Sequence, residues 1–197
     1  MNWFELVEKW DSQLLLAING LNSPFFDEIM WGVSNPVFGI PFYLFFAYLF
    51  FRQFGLKATI IICGLIALTV GISDQISVHC FKEVFERLRP SHDTLISENL
   101  HYYLKADGDF YIAGGKYGFI SSHASNMFSI ATMVYLIVGK NYKWLVWLLL
   151  IWASLIGYSR IYLGVHYPTD VFVGAIVGCT IAGILYYLSK QFNWIKC

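Results

Sequence analysis

Residues 159–170, SRIYLGVHYPTD, set Ser159, Arg160, His166 and Asp170 between two long apolar runs. Only 13% of the 197 residues are charged, so each charge at such a place needs a reason. Two other stretches have the same character. KEVFERLRP carries Lys82, Arg89 and Pro90, and FISSHASN carries Ser121, Ser122 and His123. Lys82, Arg89 and Arg160 gathered at one place would repel one another without an anion between them, and phosphate suits both the guanidinium fork and the ammonium point charge. Ser121 and Ser122 precede an apolar run read as a helix, where free N–H groups also favour an anion.

The two histidines then have distinct uses. A neutral imidazole can attack phosphorus through one ring nitrogen while the other donates to a carboxylate that fixes the tautomer. Asp170 follows His166 by four residues, a spacing that brings side chains together on a helix. His123 is left to protonate the leaving oxygen as a general acid. The basic cluster would hold the charge on the phosphoryl oxygens, where most phosphoryl-transfer catalysis originates. This chemistry needs no metal and no cofactor. His79, His92 and His101 fit no ligand spacing.

These residues require elements that carry them to one place. The chain is 57% hydrophobic, and several runs approach the roughly 20 residues that cross a bilayer. The pattern predicts an all-α, polytopic membrane bundle of one domain, residues 1–197. Five spans are expected near 36–54, 59–80, 121–138, 143–158 and 169–188, so the transmembrane core covers 36–190. The second span is expected to run on as helix to Leu88, which would set Lys82 and Arg89, seven apart, near one helix face. Residues 1–34 mix Leu, Phe and Trp with acids, which predicts interfacial amphipathic helices broken near Asn22 to Pro24. Antiparallel neighbours then bring all three stretches to one membrane face.

Arg52, Lys57, Lys140, Lys143, Lys190 and Lys196 fall on the opposite side, which carries no acid. The positive-inside rule makes that side cytoplasmic, with the C-terminus there and the site on the outer face of a bacterial inner membrane. A net charge of zero implies no bulk attraction to nucleic acid. Asp74, inside the second span, is read as a helix-packing group too deep to share the phosphate. Glu86 and Arg87 are read as a solvated or ion-paired surface.

Lys82, Arg89 and Pro90, then Ser121 and His123, then Ser159, Arg160, His166 and Asp170, together resemble the three motifs of the type 2 phosphatidic acid phosphatase superfamily. The middle motif departs from the usual Pro-Ser-Gly-His at Ile120 and Ser122. The resemblance covers Lys82 to Asp170. It implies a phosphohistidine on His166, leaving-group protonation by His123, and a phosphate cradle of Lys82, Arg89, Ser121, Ser122 and Arg160. The expected partner is a membrane phospholipid or polyprenyl phosphate, with undecaprenyl diphosphate, phosphatidic acid, phosphatidylglycerol phosphate and lipid A as candidates. The same residues would also serve a phosphotransferase, a vanadate haloperoxidase, or an anionic-lipid transporter that needs no attacking histidine.

Overall fold

The computed structural model describes residues 2–112, 115–192 and 194. Lys196, used above for orientation, lies outside them. The order of elements is α1 (Trp3–Asn19), α2 (Pro24–Ser34), α3 (Ile40–Gln75), α4 (Glu83–Phe85), α5 (Ser122–Val138), α6 (Leu145–Tyr162) and α7 (Pro168–Gln191). Among the described residues the only β pairing is two isolated bridges, Leu88 with Tyr117 and Leu104 with Phe110.

Among the described residues, three helical stretches are long and apolar enough to cross a membrane: Pro36–Phe85, Leu145–Tyr162 and Pro168–Gln191. The first is not one straight rod. Gly55 sits at φ 76°, ψ 174°, a conformation open to glycine and strained for other residues, and breaks α3 into two arms. Phe46, Leu49 and Phe50 of one arm share a core with Ile62 and Leu65 of the other. The same core takes Met133 and Val134 from α5 and Leu149 and Trp152 from α6. At 17 residues α5 is the shortest of the core helices.

The central packing is α5 against α7. Two glycines on one face of α7 allow it. A Cβ at Gly178 would stand 2.1 Å from the Ser125 carbonyl oxygen, and one at Gly174 would stand 2.8 Å from that of Ser121. Small residues four apart let backbones approach in this way. The contact lays the start of α7, with Asp170, beside the start of α5, and the Ser121 N–H donates to the Asp170 carbonyl at 3.0 Å.

The amino-terminal segment forms two helices, interrupted at residues 20–23. A capping box at Asn2 and Glu5 starts α1, and Ser23 with Pro24 starts α2. Trp3, Trp10 and Leu14 face outward while Leu15 is fully buried. Buried Asn19 donates to the carbonyls of His101 and Tyr162 and accepts from the His101 N–H. That single amide ties α1, the long loop and the end of α6 together.

Two expectations about helix ends need correction. Helix does not continue to Leu88. It passes through a π-helical stretch, Ile76–Lys82, to Phe85 and stops at Glu86, which turns left-handed at φ 48°. Residues 87–89 then run extended beside residues 116–118, with Arg89 N–H bonded to the Lys116 carbonyl and Gly118 N–H to that of Arg87. Lys82 and Arg89 therefore share no helix face. Nor does His166 lie on a helix with Asp170, since α7 begins at Pro168.

Candidate active site

Each site residue sits at the end of an element. Lys82 ends the π-helical stretch, Arg89 lies on the extended strip, Ser122 and His123 open α5, and Arg160 lies in the last turn of α6. His166 occupies the five-residue connection to α7. These ends surround a cavity of about 320 Å³, lined by Lys82, Arg89, Ser122, His123, Arg160 and His166. Asp74, Tyr111 and Asn126 complete the lining. Its size falls at the lower end of ligand sites, roughly 300–1,000 Å³.

His166 is buried, with 1% of its surface exposed. Its Nδ1 faces Asp170 Oδ2 at 3.4 Å, and its Nε2 faces Arg89 Nη1 at 2.9 Å. A guanidinium has donors only, so Nε2 must be the accepting nitrogen and Nδ1 must carry the proton. Burial first, then the charges of Arg89, Arg160 and Lys82, hold His166 well below the usual histidine range. Both effects keep the ring neutral, with a lone pair at the cavity wall.

Asp170 is itself held from three sides. Oδ2 accepts from the Tyr167 N–H at 3.0 Å, and Oδ1 accepts from Arg87 Nη1 at 2.8 Å. Arg87 lies on the Tyr167 ring, 4.2 Å from its centre, and its Nη2 reaches Asp11 Oδ2 at 2.6 Å. Asp11 also accepts from the N–H of Thr169 at 2.9 Å and from its hydroxyl. Asp11–Arg87–Asp170–His166 is thus a continuous chain from α1 to the imidazole. Ion pairing, not solvation, is the state of Arg87.

The other cations are held by neutral groups. Lys82 Nζ donates to Ser122 Oγ at 2.6 Å, and that oxygen lies 2.5 Å from Ser77 Oγ. Serine where the family motif has glycine therefore supplies a hydroxyl to the lysine. Arg160 donates through Nη1 to Ser34 Oγ and through Nη2 to the Tyr111 hydroxyl at 3.1 Å, while its buried Nε has no partner among the described residues. Arg89 Nη1 donates also to the Val165 carbonyl at 3.1 Å, and Nε to that of Gly115 at 2.9 Å. Burial and the charge of Arg160 lower the Arg89 pKa. His123 lines the cavity.

Two sequence expectations change here. Ser121 is fully buried and does not line the cavity; its hydroxyl caps α5 by accepting from the Ala124 N–H at 3.4 Å. Asp74, expected to lie too deep, lines the cavity with Lys82. A π-helix winds wider and rises less per residue than an α-helix, so a gap of eight residues becomes a shorter distance. Tyr111 and Asp11 carried no signal in the sequence, being remote from every motif. Asn126 had one, since it follows His123 by three residues and shares its helix face.

This arrangement has counterparts. A profile of the PAP2 superfamily matches residues 58–194. The chain belongs to the PAP2 superfamily. This PAP2 protein is 34% identical, over 95% of its length and 80% of the relative's, to a lipid A 4'-phosphatase of Bacteroides thetaiotaomicron. It is 33% identical, over 97% of its length and 78% of the relative's, to a lipid A 4'-phosphatase of Porphyromonas gingivalis. The crystal structure of a transmembrane PAP2 type phosphatidylglycerolphosphate phosphatase from Bacillus subtilis shares the fold, with a TM-score of 0.70 at 21% identity over 94% of this chain and 87% of that one. Aquifex aeolicus LpxE matches with a TM-score of 0.60 at 26% identity, over 89% of this chain and 93% of its own. As a PAP2 member with long apolar helices, the protein is an integral membrane phosphatase.

Proposed function

We propose that the protein removes phosphate from a membrane lipid through a covalent phosphohistidine on His166. The observation that carries the reading is the accepting Nε2 at the wall of a cavity ringed by Lys82, Arg89 and Arg160, with Asp170 behind Nδ1. A phosphate entering the cavity would take over the Arg89 donor and free the Nε2 lone pair. That lone pair attacks phosphorus, an N–P bond forms, and the P–O bond to the lipid breaks. His123 gives its proton to the departing oxygen; the phosphate's negative charge beside it favours the charged imidazole needed for that step. Water then attacks the phosphohistidine, His123 takes the water's proton, and the N–P bond breaks to return Nε2. Lys82, Arg89, Arg160 and the Ser122 hydroxyl hold the phosphoryl oxygens throughout.

The names of the relatives make lipid A and phosphatidylglycerol phosphate the first substrates to assay. We place the site on the outer face of a bacterial inner membrane, on the distribution of Arg52, Lys57, Lys140, Lys143 and Lys190. Detergent-purified protein should release inorganic phosphate from such lipids in excess EDTA. Acid-quick, alkali-stable handling of a stopped reaction should trap a phosphoryl group on His166. Wild-type turnover by His166→Ala would overturn the mechanism.

A further inference from the structure

The long loop ahead of α5 folds back on itself. Leu104 and Phe110 form an isolated antiparallel bridge, and the Tyr111 N–H donates to the Tyr103 carbonyl at 2.7 Å. One side chain of α2 grips the base of this turn. The Trp31 ring stacks on Tyr103 at 4.9 Å and meets Tyr111 edge to face at 4.7 Å. Tyr103 is buried, and its hydroxyl donates to Glu28 Oε1 of α2 at 3.0 Å. With its ring held there, Tyr111 lines the cationic cavity, and its hydroxyl meets Arg160 Nη2 at 3.1 Å. We infer that Tyr111 is a further substrate-contacting residue: its hydroxyl donates to an oxygen of the bound phosphate, and Trp31 is the residue that positions it. This rests on the reading of the cavity as the phosphate site.

The bonding at Arg160 carries the argument. A guanidinium has donors only, so the Tyr111 oxygen accepts from it, and the phenol's own hydrogen remains to be given. Among the described residues that hydrogen has no acceptor. A donor on the wall of a cavity ringed by cations is matched by the oxygen of an anion. Arg160 is only 4% exposed, with Nη1 on Ser34 Oγ and Nε enclosed. The hydroxyl passes on the pull of that buried charge, because a bond accepted from a cation strengthens the bond donated. It does so without adding another positive charge beside Lys82, Arg89 and Arg160. Trp31 and Tyr103 do not line the cavity, so their part is to hold the ring.

The test reads the affinity of the full chain in detergent for inorganic phosphate, by titration calorimetry. Tyr111→Phe keeps the ring and its contact with Trp31. It should weaken phosphate binding about tenfold or more, the scale of one hydrogen bond to a charged group. Tyr111→3-fluorotyrosine, introduced by codon suppression, separates a donor to phosphate from a prop for Arg160. Fluorine makes a phenol a better donor and a poorer acceptor. At a pH where the phenol keeps its proton, a donor to phosphate gives binding tighter than wild type, and a prop gives equal or weaker binding. Trp31→Leu should lose affinity, Trp31→Phe should recover most of that loss, and Trp31→Leu should cost little more in the Tyr111→Phe background, because both changes remove one contact. Equal phosphate affinity in wild type and Tyr111→Phe, or no gain with fluorotyrosine, would overturn the role of Tyr111 and leave the site standing. Additive losses would overturn the part given to Trp31. Absence of phosphate binding by wild type would instead bring down the reading of the site, and this inference with it.

Discussion

Arg89 Nη1 sits 2.9 Å from His166 Nε2, so the lone pair of the proposed nucleophile is engaged by a donor. In the proposed reaction phosphate competes for that donor, and binding and activation become one event. Arg89→Gln keeps a side chain of similar length but no charge. It should raise KM for the lipid and lower kcat by about 10²-fold, the scale of losing one donor to a developing oxyanion. Steady-state phosphate release in mixed micelles measures both.

The Asp11–Arg87–Asp170 chain yields a second expectation. Arg87→Gln strips Asp170 and Asp11 of their shared partner, both being nearly wholly buried. Breaking a buried pair by removing one side costs about 3–5 kcal/mol, and the part-exposed guanidinium puts the effect at the lower end. The thermal midpoint in detergent should fall, and kcat should fall with KM little changed, because Asp170 then orients His166 less well. Asp11→Asn should do the same more weakly. The two changes together should cost less than their sum, since they remove one shared network.

Protonation supplies a third. Burial and the neighbouring cations hold His166 well below the ordinary histidine pKa of about 6.5. Below that pH the unfolded chain takes up a proton that the folded chain refuses, so stability contributed by this group is complete above about pH 6.5 and is lost as pH falls. The limiting slope for one proton is about 1.4 kcal/mol per pH unit. Unfolding measured from pH 7.5 to 5.5 should show a shallower slope in His166→Asn than in wild type. For the same reason His166, the proposed nucleophile, should stay unprotonated, and its acid limb in single-turnover kinetics should lie below the range of a free imidazole.

Helix contact gives a fourth. A methyl at Gly178 would overlap the Ser125 carbonyl oxygen, a backbone atom that cannot rotate away. Gly178→Ala should therefore destabilise by about 1–3 kcal/mol and part the starts of α5 and α7. Turnover should drop together with the thermal midpoint. Gly183, with open space around its Cβ position, is the control, and Gly183→Ala should change neither.

Ser122→Gly restores the residue usual in the family motif and removes the oxygen that Lys82 holds at 2.6 Å. One hydrogen bond to a charged group is worth about 1.5–3 kcal/mol, so KM for the lipid should rise about tenfold or more if Lys82 loses its position. A smaller change would mean that phosphate itself positions the lysine.

Much of this protein was legible in its amino acids. Apolar runs of spanning length, with every charge but Asp74 near their ends, pointed to an all-helical membrane fold and gathered Lys82, Arg89, His123, Arg160, His166 and Asp170 at one end of it. Those statements depend on local composition and on chain connectivity, which one dimension contains. What needed three dimensions was every contact between elements far apart in the chain. Asp11 meets Arg87 across 76 positions, and Tyr111 meets Arg160 across 49. The stop at Glu86 and the π-helical winding before it moved Arg89 off the helix and brought Asp74 to the cavity, against the expected helical face and depth. Periodicity assumes a regular helix, and the position of a break is set by which tertiary bonds the backbone gains beyond it. Here those bonds are to residues 116–118, which no count along residues 82–89 could reveal.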